Sequence, residues 1–207
     1  MSSRKALLTF SLLFAAVGLD GSQKPKRPPQ PKPTEPESSD DKDMHEMLLT
    51  KAGLLAFDTP KDWEQTEGPG FACFIPKGSD AKTSLTMIYI SGAPIGPDQD
   101  NKTLSDYVQS DISGFKTRFQ KGDVRQEQAI HLPTAKIEVL LYTFKSGEEE
   151  HNAIEQVAYI QDTSERVLTI VLTAKTEAAF NQSLPAFQGL VKSFRGSIVM
   201  TSDHPSK

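Results

Sequence analysis

The sequence predicts an α+β domain built on an antiparallel sheet. Short apolar runs rich in β-branched and aromatic residues are separated by Pro and Gly turn signals. Two longer amphipathic segments lie between or after these runs and do not alternate with them regularly, which argues against a parallel sheet. In two of the later runs, apolar residues occupy both the odd and the even positions, so that both faces of the strand are apolar. A strand that is covered on both faces of the sheet requires this pattern of apolar residues at both parities. We expect about six or seven strands and two main helices.

The strand candidates fall into an early and a late group. The early runs are 54–57, 71–75 and 84–91, and each is stopped by a turn that contains Pro or Gly. A polar, alternating run over 124–132 is typical of an edge strand. The runs 135–144, 153–161 and 167–174 are joined by short polar connections, which predicts an antiparallel meander. The first and last of these three are apolar at both parities, and we expect them at the centre of the sheet.

Two helices are predicted, over about 103–121 and 177–192. Thr103 with Asp106 three residues later is close to a capping box, and Gly122 is expected to end the first helix. Thr176 is the expected cap of the second helix. Pro185 lies inside the second helix, so we expect a break or kink near residues 183–184. Each helix carries a one-sided apolar stripe of the kind that packs against a sheet.

The first 22 residues read as a signal peptide. Arg4 and Lys5 precede an uncharged, mostly apolar run over 6–19, followed by small residues suited to cleavage. Spanning a bilayer takes about 20 apolar residues, which exceeds this run. We therefore expect export, to the periplasm or the extracellular space. An uncleaved N-terminal helix that tethers the protein to the membrane is the alternative.

Residues 23–45 read as a disordered linker. Six prolines and no aliphatic or aromatic residue lie between 23 and 43, so nothing there can be buried to offset ordering. Proline at this density favours an extended, semi-rigid spacer. Its basic first half could rest only weakly on an anionic membrane. The folded domain is expected over 46–195, with a disordered tail over 196–207.

Net charge and cysteine content argue against several classes of protein and site. Net charge over the 207 residues is -4, which argues against a nucleic-acid-binding protein. The single cysteine, Cys73, excludes an internal disulfide and a cysteine-based metal cluster. It lies in an apolar run with no activating partner in sight, which indicates a buried thiol. No motif for a nucleophile, a catalytic metal or a phosphate loop is present in the sequence.

Two further polar features are weak site candidates. Residues 148–151 (EEEH) offer three carboxylates and an imidazole, but adjacent side chains in a hairpin connection diverge, which favours a solvated acidic turn. His131 lies alone in the polar strand. We therefore expect no catalytic residue, no metal and no cofactor.

The order of these elements resembles the PsbP-like and DcrB-like proteins. The resemblance rests on 57–63 (FDTPKDW), 85–90, 169–174 and 187–194 (FQGLVKSF), and it extends over roughly 50–195. It implies an α/β/α sandwich on an antiparallel sheet. It also implies a non-catalytic protein, because most members act by presenting a surface to another protein. No functional residue can be carried over to this chain.

The candidate binding residues are Trp63, Asp98 and Asp100. The loop over 92–102 is long, polar and rich in Pro and Gly, and binding residues concentrate in such loops on rigid scaffolds. Trp63 and the Pro69–Gly70 turn are expected beside it, although a Trp after a turn more often covers the core. The sequence thus predicts an exported, non-enzymatic accessory protein that binds a protein partner in the cell envelope. A hydrolase is the remaining alternative, and the oligomeric state is left open.

Overall fold

The computed structural model describes residues 46–50, 53–132, 136–148 and 153–198. The predicted signal peptide and Pro-rich linker lie outside these residues, as does the tail from 199 onward. The elements, in chain order, are β1 (Glu46–Thr50), β2 (Gly53–Phe57), β3 (Trp63–Thr66), β4 (Ala72–Pro76), β5 (Thr86–Pro94), α1 (Leu104–Arg118), β6 (Asp123–Gln126), β7 (Ile130–Leu132), β8 (Ile137–Lys145), β9 (Ile154–Thr163), β10 (Arg166–Ala174), α2 (Glu177–Ser193) and β11 (Ser197–Ile198).

The main sheet confirms the predicted antiparallel α+β fold. Its strands follow the order β3-β4-β5-β10-β9-β8-β6. β6 pairs with the C-terminal end of β8, and β7 pairs with the N-terminal end of β8. Every pairing is antiparallel, including the predicted meander β8-β9-β10. The expected edge strand over 124–132 is divided into β6 and β7, which both pair with β8. The short edge strand β3 was not among the predicted strands.

One helix packs on each face of the main sheet. Along β10, Leu168, Ile170 and Leu172 lie in the core shared with α2, whereas Val167 and Val171 lie in the core shared with α1. This alternation explains why the run is apolar at both parities, because both of its faces are buried. β10 is the central strand, as predicted. β8 lies nearer the edge, where only β6 and β7 flank it.

Helix α1 begins as predicted and ends earlier. The Thr103 side chain accepts a hydrogen bond from the Asp106 backbone N–H, and the Asp106 side chain accepts one from the Thr103 backbone, which completes a capping box. The helix ends at Arg118 with Phe119 as its C-cap, so Gly122 is not the helix-ending residue. A Cβ at Gly122 would lie 2.7 Å from Phe115 Cε1 and 2.8 Å from the Phe119 carbonyl oxygen. Glycine at position 122 therefore allows Phe115 and Phe119 to lie close to the backbone.

Helix α2 is continuous through Pro185, so it has no break at 183–184, and the alternative of a kink stays a prediction. Proline lacks the N–H that would bond to the carbonyl one turn earlier, yet packing on the sheet retains the helical path. Phe187, Leu190 and Val191 are fully buried against the sheet. Burial of this stripe offsets the missing backbone bond. Thr176 caps the helix by accepting a hydrogen bond from the Ala179 N–H.

A second, three-stranded sheet joins the two ends of the domain. Its order is β1-β2-β11, and Phe57 from β2 is fully buried in the core that contains α2. The Arg195 guanidinium donates to the Asp58 carboxylate at 2.6 Å, and the Arg195 N–H donates to the Ala56 carbonyl. Within the described residues, β11 pairs with β2 as far as Ile198. The boundary at which the tail begins stays a prediction.

Candidate functional site

Trp63 lies at the start of β3 and belongs to the core. Only 7% of its surface is exposed, and it packs in the cluster that contains α2. The Trp63 N–H donates to the Pro60 carbonyl, which closes the turn before the strand. The structure therefore places Trp63 where a large aromatic covers one end of the core. Its role in binding stays a prediction.

Asp98 and Asp100 are exposed on a loop whose two ends are held. We call residues 95–102 the acidic loop. Ile95 is buried and its N–H donates to the Glu165 carbonyl at 2.9 Å. Within the loop, the Gly96 N–H donates to the Asn101 carbonyl and the Gln99 N–H donates to the Gly96 carbonyl. The acidic loop thus presents both carboxylates on an internally bonded backbone that leads directly into the cap of α1.

The structure does not bring Trp63 together with the acidic loop. Trp63 pairs with Pro76, and Phe74 pairs with Ile88, so Trp63 lies near the start of β5. The acidic loop follows Pro94 at the other end of β5. Eight residue steps along β5 correspond to about 26 Å. The expected single surface is therefore divided, with the two aspartates at one end of the sheet and Trp63 at the other.

Beneath α1 lies a group of titratable side chains that the sequence analysis missed. The Tyr159 hydroxyl on β9 donates a hydrogen bond to the Asp111 carboxylate on α1. Glu155 lies on the same face of β9, four residues before Tyr159, and is hydrogen-bonded to the Thr173 side chain on β10. Tyr107 packs edge-on against Tyr159, with ring centroids 6.2 Å apart. We call Tyr107, Asp111, Glu155 and Tyr159 the carboxylate–tyrosine cluster.

Burial perturbs the titration of every member of this cluster. It raises the pKa of Asp111, while the hydrogen bond from Tyr159 acts in the opposite direction. Burial also raises the pKa of Glu155 to about 7, although the residue keeps partial solvent exposure. The pKa of Tyr107 rises to about 12, and that of Tyr159 rises further, because of burial and the nearby Asp111. The cluster can hold and exchange protons near neutral pH at Glu155.

Helical and strand periodicity contained the signal for this cluster. Asp111 lies between Val108 and Ile112 in the apolar stripe of α1, seven residues after Leu104 and four before Phe115. A carboxylate at such a position faces the sheet. Glu155 likewise lies in the predicted strand over 153–161, on the same face as Val157 and Tyr159. A polar residue on a buried stripe requires a partner, and that requirement marks the site.

Cys73 is the buried thiol that the sequence indicates. Its exposure is 1%, and burial raises its pKa to about 11. Gly68 packs directly on it, since a Cβ there would lie 2.5 Å from Cys73 Sγ. A depression of about 220 Å³ over this connection is lined by residues 65–68 and 70–73. A protonated, covered sulfur is a poor nucleophile.

The remaining sequence candidates do not form a metal or catalytic site within the described part of the chain. His131 is exposed on β7. Glu148 is half-buried, and residues 149–152 lie outside the described residues. Within 46–50, 53–132, 136–148 and 153–198, three His, Cys, Asp or Glu side chains nowhere converge as a metal site would need. In the same ranges, neither helix has the length and apolar character to cross a bilayer.

Comparison with known proteins finds structural likeness only. No family model and no curated protein matches the chain. The cyanobacterial PsbP protein (CyanoP) of Synechocystis sp. PCC 6803 shares 18% identity over 71% of this chain and 88% of its own, with a TM-score of 0.44. The Ran-binding protein Mog1p of Saccharomyces cerevisiae shares 11% identity over 72% and 94%, with a TM-score of 0.46.

A third similar structure is a Pseudomonas aeruginosa protein of unknown function. It shares 14% identity over 72% of this chain and 94% of its own, with a TM-score of 0.36. CyanoP is a PsbP protein by its own description, and the PsbP-like and DcrB-like resemblance drawn from the sequence stays a prediction for this chain. At these identities and TM-scores, the likeness carries no conclusion about function.

Proposed function

We propose that this chain is an exported, non-enzymatic accessory protein that presents its α+β domain to a protein partner in the cell envelope. The observation that carries this proposal is the acidic loop, which holds two exposed carboxylates on a bonded backbone at one end of a rigid sheet. Export is supported by the apolar run over 6–19 and the linker over 23–45.

Preorganisation makes the acidic loop suited to binding. Ordering a flexible loop costs conformational entropy on association, and a loop that is already bonded avoids part of that cost. Ile95 anchors one end in the core, and the capping box of Thr103 anchors the other. Exposed carboxylates on such a frame favour a partner with a complementary basic surface.

A non-enzymatic role is supported by how the reactive side chains are used. The Asp111 carboxylate and the Tyr159 hydroxyl bond to each other beneath α1, and Glu155 bonds to Thr173. The Cys73 thiol is protonated at neutral pH, because its pKa is about 11. A hydrolase needs an acid and a base that converge in an accessible pocket. The Asp111–Tyr159 bond instead connects α1 to the sheet, and the Glu155–Thr173 bond joins β9 to β10.

Capture from envelope extract tests the proposal. We would immobilise the mature chain and compare it with the double variant Asp98→Asn and Asp100→Asn. The matched control is Asp123→Asn with Glu138→Gln, which removes the same charge from exposed positions on β6 and β8. We expect one dominant partner, bound on the order of tenfold more weakly by the loop variant and normally by the control. Equal capture by both variants, or no partner, would contradict the proposal.

The mature N-terminus separates export from membrane tethering. Mass analysis of the chain purified from its host should find the first residue near 22 if the signal peptide is cleaved. An intact N-terminus, with the protein in the membrane fraction, would support the tethered alternative. A panel of ester, peptide and phosphate substrates tests the hydrolase alternative, for which we expect no turnover.

A further inference from the structure

The two helices are held on the sheet in very different ways. Six residues of α2 are buried: Ala179, Phe180, Ser183, Phe187, Leu190 and Val191. In α1 only Val108 is buried to that degree, while Tyr107, Ile112 and Phe115 keep partial exposure. Gly114, in the middle of α1, contributes no side chain to packing and weakens the helix. The free energy that holds α1 on the sheet is therefore small compared with that of α2.

Polar contacts make up part of this thin interface. The hydrogen bond from Tyr159 to Asp111 joins the middle of α1 to β9, and Glu155 lies on the same face of that strand. Both acidic residues are partly shielded from water, since neither is fully exposed. When α1 is docked, ionising both carboxylates places two negative charges in a poorly hydrated interface. Undocking α1 returns both charges to water.

The surrounding groups only partly compensate those charges. Burial is the first cause of the raised pKa of Glu155; the Thr173 hydrogen bond and Arg118 act against it, while Asp111 adds to it. Tyr89 on β5 and Tyr159 on β9 also interact electrostatically with Glu155. On β8 the residue paired with Glu155 is Phe144, which carries no charge. Arg118, which offsets part of the Glu155 charge, is the last residue of α1 itself.

We propose that α1 is a proton-controlled cover, which is docked while Asp111 and Glu155 carry at most one negative charge between them and is released when both are ionised. Release uncovers an aromatic surface on the sheet that includes Tyr142, Phe144 and Tyr159. This behaviour requires no partner, although release of α1 would also free the end of the acidic loop that the Thr103 capping box holds. It would let the protein respond to the pH of the compartment to which it is exported, a role that rests on the proposed export.

The direction of the pH effect follows from Glu155. Its pKa is about 7 when α1 is docked and near the ordinary value of 4.5 when the side chain is hydrated. Docking is therefore fully favoured below about pH 4.5 and is progressively lost as the pH rises through 7. For these two values the equilibrium constant for opening rises about 30-fold between about pH 5.5 and 8.

Hydrogen–deuterium exchange of the whole chain tests this proposal. After correction for intrinsic exchange rates, amides of 104–118 should lose about 30-fold protection between about pH 5.5 and 8, while those of α2 change little. Glu155→Gln should remove most of the pH dependence in α1. Glu138→Gln, an exposed change on β8, should leave it intact.

Three outcomes would overturn the proposal. Protection of α1 that does not change with pH would show that the two charges are tolerated beneath the helix. An unchanged pH dependence in Glu155→Gln would assign the effect to another group. Equal losses in α1 and α2 would show that the whole domain opens together, so that α1 is not a separate cover. Asp111→Asn provides a second variant; because Asp111 only adds to the effect of burial on the pKa of Glu155, it should reduce the pH dependence of α1 less than Glu155→Gln does.

Discussion

Two glycines with the same backbone conformation provide a test of the packing around the β3–β4 connection. Gly70 has φ of +79° and Gly78 has φ of +76°, so alanine at either position incurs the left-handed backbone cost of about 1–2 kcal/mol. The two positions differ in their surroundings. A Cβ at Gly70 would lie 2.1 Å from the Ile90 carbonyl oxygen, whereas a Cβ at Gly78 would have no atom within 4 Å.

Gly70→Ala should therefore cost much more than Gly78→Ala. Relieving the overlap requires the turn to move away from β5 by about 1 Å, which breaks the 2.6 Å bond from the Phe71 N–H to the Ile90 carbonyl. A backbone bond lost in a partly buried position costs about 1–3 kcal/mol. We expect a loss of about 2–5 kcal/mol in the free energy of unfolding for Gly70→Ala and about 1–2 kcal/mol for Gly78→Ala.

Urea unfolding followed by tryptophan fluorescence measures the difference. The chain contains one tryptophan, Trp63, and it is 7% exposed, so its emission should report loss of the core. The effect of alanine on unfolded-chain entropy is the same for both variants and cancels in the comparison. Equal losses for the two variants would refute the close approach of the turn to β5. A smaller loss for Gly70→Ala than for Gly78→Ala would do so more strongly.

Three further predictions concern the helices and the thiol. Thr103→Ala should destabilise the protein by about 1 kcal/mol through loss of the capping box, whereas Thr117→Ala in the same helix should change little; thermal unfolding compares them. Phe187→Ala should cost about 3–5 kcal/mol in urea unfolding, because its side chain is fully buried beneath α2, and a loss below 1 kcal/mol would contradict that packing. Cys73 should react with a thiol reagent at pH 8 at least about 100-fold more slowly in the folded protein than in denaturant, because its pKa is raised from 9.0 to about 11; equal rates would show an accessible thiolate.

Much of the fold could be predicted because its signals lie within a few residues of one another. The apolar residues at both parities of 167–174 require burial on two faces, and β10 is the central strand. Thr103 and Asp106 specify the start of α1 through contacts only three residues apart. The short connections between the last three strands allow only an antiparallel meander, which is the arrangement observed.

The errors arose where distant contacts override local preference. Pro185 would break an isolated helix, but the apolar stripe of α2 on the sheet keeps the helix continuous. A glycine at position 122 is typical of a helix terminator. In the structure, Gly122 instead allows Phe115 and Phe119 to pack closely against the backbone. Residues 197–198 likewise form a strand only because β2, far away in the sequence, provides a partner for them.

The candidate sites show the same division. The sequence by itself determined the α+β class, the capping of both helices, the buried thiol of Cys73 and the exposed character of Asp98 and Asp100. Only the tertiary structure decided that Trp63 and the two aspartates lie at opposite ends of the sheet, and that Asp111 meets Tyr159 beneath α1. The physical reason is that periodicity and capping act over a few residues. Strand order and the partner of a buried charge depend on contacts between residues that are far apart in the chain.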